Sequence, residues 1–143
     1  MICTDTSFLI SLYGTDMNTA AAKQHSASNA SPIQVHAIND FELANALRVL
    51  VFRRKITPQQ RRAWLASYEA DKTAGILRAM NLDANTVLQR AEVLSAAHSE
   101  QHGNRGYDIL HVAAAKMLNA TEFWSFDGRQ RALAAAEGLT VGP

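Results

Sequence analysis

The sequence predicts an α/β fold with a central, mostly parallel sheet flanked by helices. Three apolar segments, Ile2-Cys3-Thr4, Ile33-Gln34-Val35 and Phe123-Trp124-Ser125-Phe126, are too short for helices and carry β-branched or aromatic residues, as buried strands do. Helical stretches lie between them, and strands joined through helices run parallel. Alanine, at 25 of 143 positions, favours helix and close helix packing.

The elements follow in order. After the first strand, Thr6 to Tyr13 reads as a helix stopped at Gly14, taken as a left-handed cap. A second helix spans about 16 to 27 and gives way to the polar turn Ser28-Asn29-Ala30-Ser31-Pro32. The helix from about Asn39 to Arg54 carries Phe41, Ala44, Leu47, Leu50 and Val51 at helical spacing. Thr57-Pro58 caps and opens the next, which reaches about Lys72 and closes near Gly75. Leu77 to Leu82 alternates weakly, as an edge strand would. Asp83 or Asn85 caps a helix ending at Gly103, another runs from Tyr107 to Leu118, and the last from Gly128 to Glu137 precedes a short terminal strand, Leu139-Thr140-Val141. No repeat or linker divides residues 1–143, so one domain is expected.

Composition narrows the function. One cysteine, Cys3, excludes an intrachain disulfide framework and a Cys-based zinc finger, and in a buried strand it serves as core filler. No apolar run approaches the roughly 20 residues of a membrane span, and the Met-Ile-Cys-Thr-Asp start lacks the basic region of a secretory signal, so a cytoplasmic protein is expected. Neither G-x-x-x-x-G-K-[ST] nor a G-x-G-x-x-G after the first strand is present to cradle a nucleotide phosphate. His98 and His102 have zinc-ligand spacing but no third ligand.

The residues that point to chemistry are acids at strand ends, where side chains from distant loops converge in an open α/β sheet. Asp5 ends the first strand and Asp127 the third, Asp108 begins an apolar helix, and Glu42 lies early in the helix after the second strand. Each has a local alternative. Asn39 and Glu42 have capping-box spacing; Asp108 complements a helix dipole; Asp127 suits an N-cap. Asp5, closing a buried strand, needs a partner.

Asp5-Thr6-Ser7-Phe8-Leu9 resembles the D-x-S-x-L opening of PIN domains, and Asn39-Asp40-Phe41-Glu42-Leu43-Ala44 their central glutamate segment. Asp108-Ile109-Leu110-His111-Val112-Ala113 is similar to their D-x-L-H-x-A helix, and Ser125-Phe126-Asp127 to their (T/S)-F-D strand end. These segments span nearly the whole chain and most resemble VapC-type toxins of toxin–antitoxin pairs; Asp40 stands as a rival carboxylate to Glu42. The resemblance implies a three-layer α/β/α sandwich and a metal-dependent endoribonuclease that prefers single strands. It also implies a homodimer held inactive by a VapB-like antitoxin. Two other roles fit the fold: a housekeeping RNA-processing nuclease, or a silent module that binds RNA or protein.

Four converging carboxylates repel unless a counterion or a retained proton relieves them. Mg²⁺, or Mn²⁺, prefers such oxygen ligands. Asp5 and Asp108 are expected as direct ligands, Glu42 and Asp127 as water-mediated ligands or positioners of the nucleophile. Ser7 and Ser125 are expected to hydrogen-bond behind them, with His111 a packed or bonded histidine. Arg129 and Arg131 are expected to touch RNA. Six of the 14 basic residues, Arg48, Arg53, Arg54, Lys55, Arg61 and Arg62, fall in an acid-free window that reads either as an RNA path or as a solvated helix face. Tyr13, Phe52, Trp64 and Tyr68 are expected to pack in the core, with dimer or antitoxin contact as the alternative.

Overall fold

The computed structural model describes all 143 residues. The elements are β1 (Ile2–Thr4), α1 (Thr6–Tyr13), α2 (Thr19–Ala27), β2 (Ile33–Val35), α3 (Ala37–Phe52), α4 (Pro58–Ala74), β3 (Leu77–Ala79), α5 (Ala84–His102), α6 (Gly106–Met117), β4 (Glu122–Trp124), α7 (Gly128–Ala136) and β5 (Thr140–Gly142). The five strands form one sheet in the order β3-β2-β1-β4-β5, every pair parallel.

Period-two alternation builds a layer on each face. Cys3 of β1 and Phe123 of β4, register partners, enter a core with Val87, Leu94, Ile109, Val112 and Leu133 from α5, α6 and α7. Their neighbours Ile2 and Trp124 point the other way and meet Phe8, Leu9, Leu43, Leu47 and Tyr68 from α1, α3 and α4. The result is the expected α/β/α sandwich, with a helical layer packed on each face of the sheet.

Several boundaries shift. α3 starts at Ala37, so Asn39 is its third residue and not its cap, and the Asn39–Glu42 capping box does not form. Its side chain instead accepts from the His36 amide at 3.1 Å. β4 ends at Trp124, although the Ser125 amide still donates to the Gly142 carbonyl of β5 at 2.8 Å. α2 begins at Thr19, and β5 is one residue later than expected. Asp83, not Asn85, caps α5.

Gly14 is not left-handed: its φ is −98°. Close approach explains it, because a Cβ there would lie 2.5 Å from the Ile10 carbonyl oxygen and 2.8 Å from the Trp64 ring. Gly75, at φ 78°, does close α4 in the left-handed conformation. Tyr68 is fully buried and Tyr13 and Trp64 pack against that core, whereas Phe52 stands 86% exposed. No helix is long and apolar enough to cross a membrane.

Candidate active site

The sheet order places β1 and β4 side by side where chain progression reverses direction, the crevice in which open α/β sheets gather reactive groups. Thr4 pairs with Trp124, and the Asp5 amide donates to the Trp124 carbonyl at 3.3 Å, so Asp5 and Ser125 leave the sheet together. Asp5 is fully buried and caps α1, its Oδ1 accepting from the Phe8 amide at 3.0 Å. Ser125 Oγ donates to Asp5 Oδ2 at 2.7 Å, and Ser7 Oγ lies 2.8 and 2.9 Å from the two carboxylate oxygens. Burial pushes the Asp5 carboxyl above its ordinary range, against the Phe8 amide, the Ser125 and Ser7 hydroxyls and the His111 imidazole, which favour the anion. Three donors serve a carboxylate with about four acceptor positions, so some acceptor capacity remains.

The two serines also tie the strand exits together. Ser7 Oγ accepts from the Phe126 amide at 2.9 Å, and Ser125 Oγ accepts from the Asp127 amide at 2.9 Å. Asp127 in turn caps α7, its Oδ1 accepting from the amides of Arg129 at 2.8 Å and Gln130 at 3.3 Å. The Ser125 link to Asp5 runs through the Asp127 backbone amide, which leaves the Asp127 side chain free to cap α7.

Glu42, half-buried on α3, faces α1 and α6. Its Oε2 accepts from Thr6 Oγ1, and His111 Nε2 lies 2.5 Å away. Burial raises the Glu42 carboxyl, but the His111 and Thr6 bonds outweigh it and hold the group below its ordinary range. His111 is fully buried, with Asn39 Nδ2 at 3.4 Å from Nδ1 and also donating to the Thr4 carbonyl at 2.9 Å. An ionised Glu42 carboxylate can only accept, so His111 Nε2 carries a proton and donates it to Glu42, an assignment made from the bonding pattern. Asp40 turns away, accepting from Tyr68 Oη at 2.7 Å and from Lys72 Nζ at 3.0 Å. Glu42 is therefore the inward acid of this segment.

Asp108, 7% exposed in the first turn of α6, accepts through Oδ2 from the Arg105 amide at 3.1 Å. Burial raises its carboxyl and the neighbouring Asp127 charge adds to the rise, opposed by the Arg105 amide and the charges of Arg105 and Arg129.

The structure thus links Asp5 to Asp127 through Ser125, and brings Asp127 within electrostatic reach of Asp108. Glu42 stands apart from these in its own bonded group with Thr6 and His111. No group of three or more His, Cys, Asp or Glu side chains stands close enough together to hold a metal ion. The donor chemistry nevertheless suits a hard cation: Glu42 Oε1, Asp108 Oδ1 and Asp127 Oδ2 accept no hydrogen bond, while Asp5 and Asp108 carry carboxyls raised by burial.

Arg129 is exposed with no side-chain partner, whereas Arg131 Nη1 donates to the Ser125 carbonyl at 2.9 Å and to the Pro143 carbonyl. Arg131 thereby braces the β4 exit against the chain end and is less free to meet a ligand than expected. Thr6 and Asn39 are the site-building residues that sequence reasoning missed. The hydroxyl beside Asp5 was a usable signal for Thr6; Asn39 was obscured by its resemblance to a helix cap.

A family model described as PIN domain matches residues 2–136. Among solved structures, the chain is similar to the Sarcin-Ricin loop cleaving toxin VapC20 of Mycobacterium tuberculosis, at 21% identity and TM-score 0.71, over 98% of this chain and 97% of that one. FitAcB from Neisseria gonorrhoeae matches at 14% identity and TM-score 0.62, over 100% and 97% of the two chains. PAE2754 from Pyrobaculum aerophilum matches at 15% and 0.61, over 98% and 87%. No curated protein matches the sequence.

Proposed function

The chain belongs to the PIN domain family, and from that premise we propose that it is a Mg²⁺-dependent endoribonuclease, the toxin of a type II toxin–antitoxin pair. The observation that carries this reading is the emergence of Asp5 and Asp127 from adjacent strands with Asp108 in electrostatic reach. Asp5 and Asp108, raised by burial and joined to no ion pair, are the acids whose charge a divalent cation would relieve most, so they would hold it directly. Glu42 and Asp127 complete the set through their free oxygens. When bound, Mg²⁺, or Mn²⁺ in its place, supplies an activated water and neutralises charge on the phosphodiester under attack.

The chain's own groups do the rest. Ser7 and Ser125 fix the Asp5 carboxylate and keep β1 and β4 in register at their exits. Thr6 and His111 hold Glu42 ionised, ready to orient a water. Arg129 offers a guanidinium to a phosphate beside Asp127, while Arg131 keeps the Ser125 carbonyl in place.

Partners follow from the same reading. VapC20 is a toxin, and a comparable role here calls for a VapB-like antitoxin. A homodimer is supported by exposed apolar side chains on α3, α5 and α6: Phe41, Leu88, Val93 and Tyr107. The assay is cleavage of single-stranded RNA by purified protein. Products are expected with Mg²⁺ and none with EDTA; RNA left intact in Mg²⁺ and in Mn²⁺ would refute the enzymatic reading and favour a silent binding module.

A further inference from the structure

α3 ends and α4 begins in a turn whose charges have nothing to neutralise them. Arg48, Arg53, Arg54, Lys55 and Arg62 are exposed and Arg61 half-buried, and none of the six joins an ion pair. The turn closes α3 with a Schellman pattern, in which the Lys55 amide donates to the Leu50 carbonyl and the Arg54 amide to that of Val51, both at 2.9 Å. Arg54 occupies the left-handed position at φ 56°, where glycine costs least, so the backbone bends at the expense of strain while presenting a cation. α4 opens with no acid in its first turn to offset its dipole, and Arg61 follows directly.

Amid these cations Phe52 is 86% exposed. Arg48 lies one helical turn before it on the same face of α3. A bare aromatic ring flanked by unpaired guanidinium groups offers both contacts that single-stranded nucleic acid makes: base stacking and phosphate pairing. The turn lies about 15 Å along α3 from Glu42, so it is separate from the acidic site.

We propose that the α3–α4 turn is an exosite for single-stranded RNA, in which Phe52 stacks a base and Arg48, Arg53, Arg54 and Lys55 contact the adjoining phosphates. The proposal rests on the ribonuclease reading for its choice of RNA, and it adds a second anchoring point that lets the enzyme grip an RNA away from the cleavage site.

Binding is measured by fluorescence anisotropy of a labelled single-stranded RNA of mixed sequence in EDTA, where no metal-dependent cleavage competes. Phe52→Ala is expected to weaken binding by roughly 5- to 100-fold, with Phe52→Trp restoring it. The triple change Arg48→Ala, Arg53→Ala and Lys55→Ala is expected to reduce the slope of log K against log salt by about 2, at ~0.7 per lost phosphate contact. Phe52 and the three cations are exposed, so unchanged circular dichroism is expected throughout. Wild-type affinity and slope in both variants would overturn the exosite, as would a loss of dimer mass in Phe52→Ala without loss of RNA affinity. Because the readout needs no cleavage, failure of the exosite leaves the nuclease assay standing, and failure of cleavage leaves this binding measurable.

Discussion

Ser125→Ala removes one hydroxyl from the junction of β1 and β4. That hydroxyl donates to the buried Asp5 carboxylate at 2.7 Å and accepts from the Asp127 amide at 2.9 Å. A hydrogen bond to a charged group is worth about 1.5–3 kcal/mol and an ordinary one about 1, so the expected loss is about 2.5–4 kcal/mol. For a chain of this length 1 kcal/mol shifts Tm by about 3 °C, which puts the fall at roughly 8–12 °C in thermal unfolding of the metal-free protein. The loss has a pH signature. The Asp5 carboxyl already stands above its ordinary value in the folded state, so stability is greatest below the unfolded pKa and declines as pH rises through the folded one. Ser125→Ala takes away a bond that favours the anion and raises the folded pKa further. The gap between variant and wild type should therefore widen as pH rises above the unfolded carboxyl's value of about 3.9. A Tm within about 2 °C of wild type at pH 8, or a gap that narrows with pH, would refute the reasoning that Ser125 holds a buried, ionisable Asp5 in place.

Other outcomes follow from the same geometry. Asp40→Ala orphans the buried Tyr68 hydroxyl and should cost about 1–3 kcal/mol in urea unfolding while leaving RNA cleavage intact; lost cleavage with an intact fold would make Asp40 the working acid. Asp108→Asn should raise the Tm of the metal-free protein at pH 7–8, because burial and Asp127 make its anion costly, and the gain should vanish as pH falls below the unfolded carboxyl's value of about 3.9; a lower Tm at pH 8 would contradict it. His111→Gln should let the Glu42 carboxyl rise, since its bond with His111 helps hold it down, so the acid limb of the kcat profile should move to higher pH; an unmoved profile would remove His111 from the positioning of Glu42.

β1, β2 and β4 were legible as short segments with β-branched or aromatic residues in an alanine-rich chain, whereas β3, Leu-Arg-Ala, showed only as weak alternation; parallel order follows from the helices between them. Boundaries blurred where a residue serves two ends. Asn39 sits three residues before Glu42 and looks like a cap, yet it is an interior helical residue whose amide reaches across to Thr4 and His111. Gly14 looked like a left-handed stop, but the reason for glycine is the Trp64 ring packed against it, a tertiary contact that no local pattern encodes. The four acids were visible as strand-end and helix-start residues. Ser7 and Ser125 were visible as hydroxyls beside Asp5 and Asp127, but Thr6 was not, because its bond goes to Glu42 on another element 36 positions away. The near-neutral net charge of +1 hid the separation of buried acids from an unpaired basic turn.

The central claim is that buried carboxylates at the β1/β4 crevice hold the cation that cleaves RNA. The most direct test is Mg²⁺-dependent cleavage of single-stranded RNA by Asp5→Asn and Asp108→Asn proteins whose circular dichroism matches wild type. Both substitutions keep side-chain shape and remove one charge. Loss of cleavage in both is predicted, and wild-type turnover by either folded variant would contradict the account.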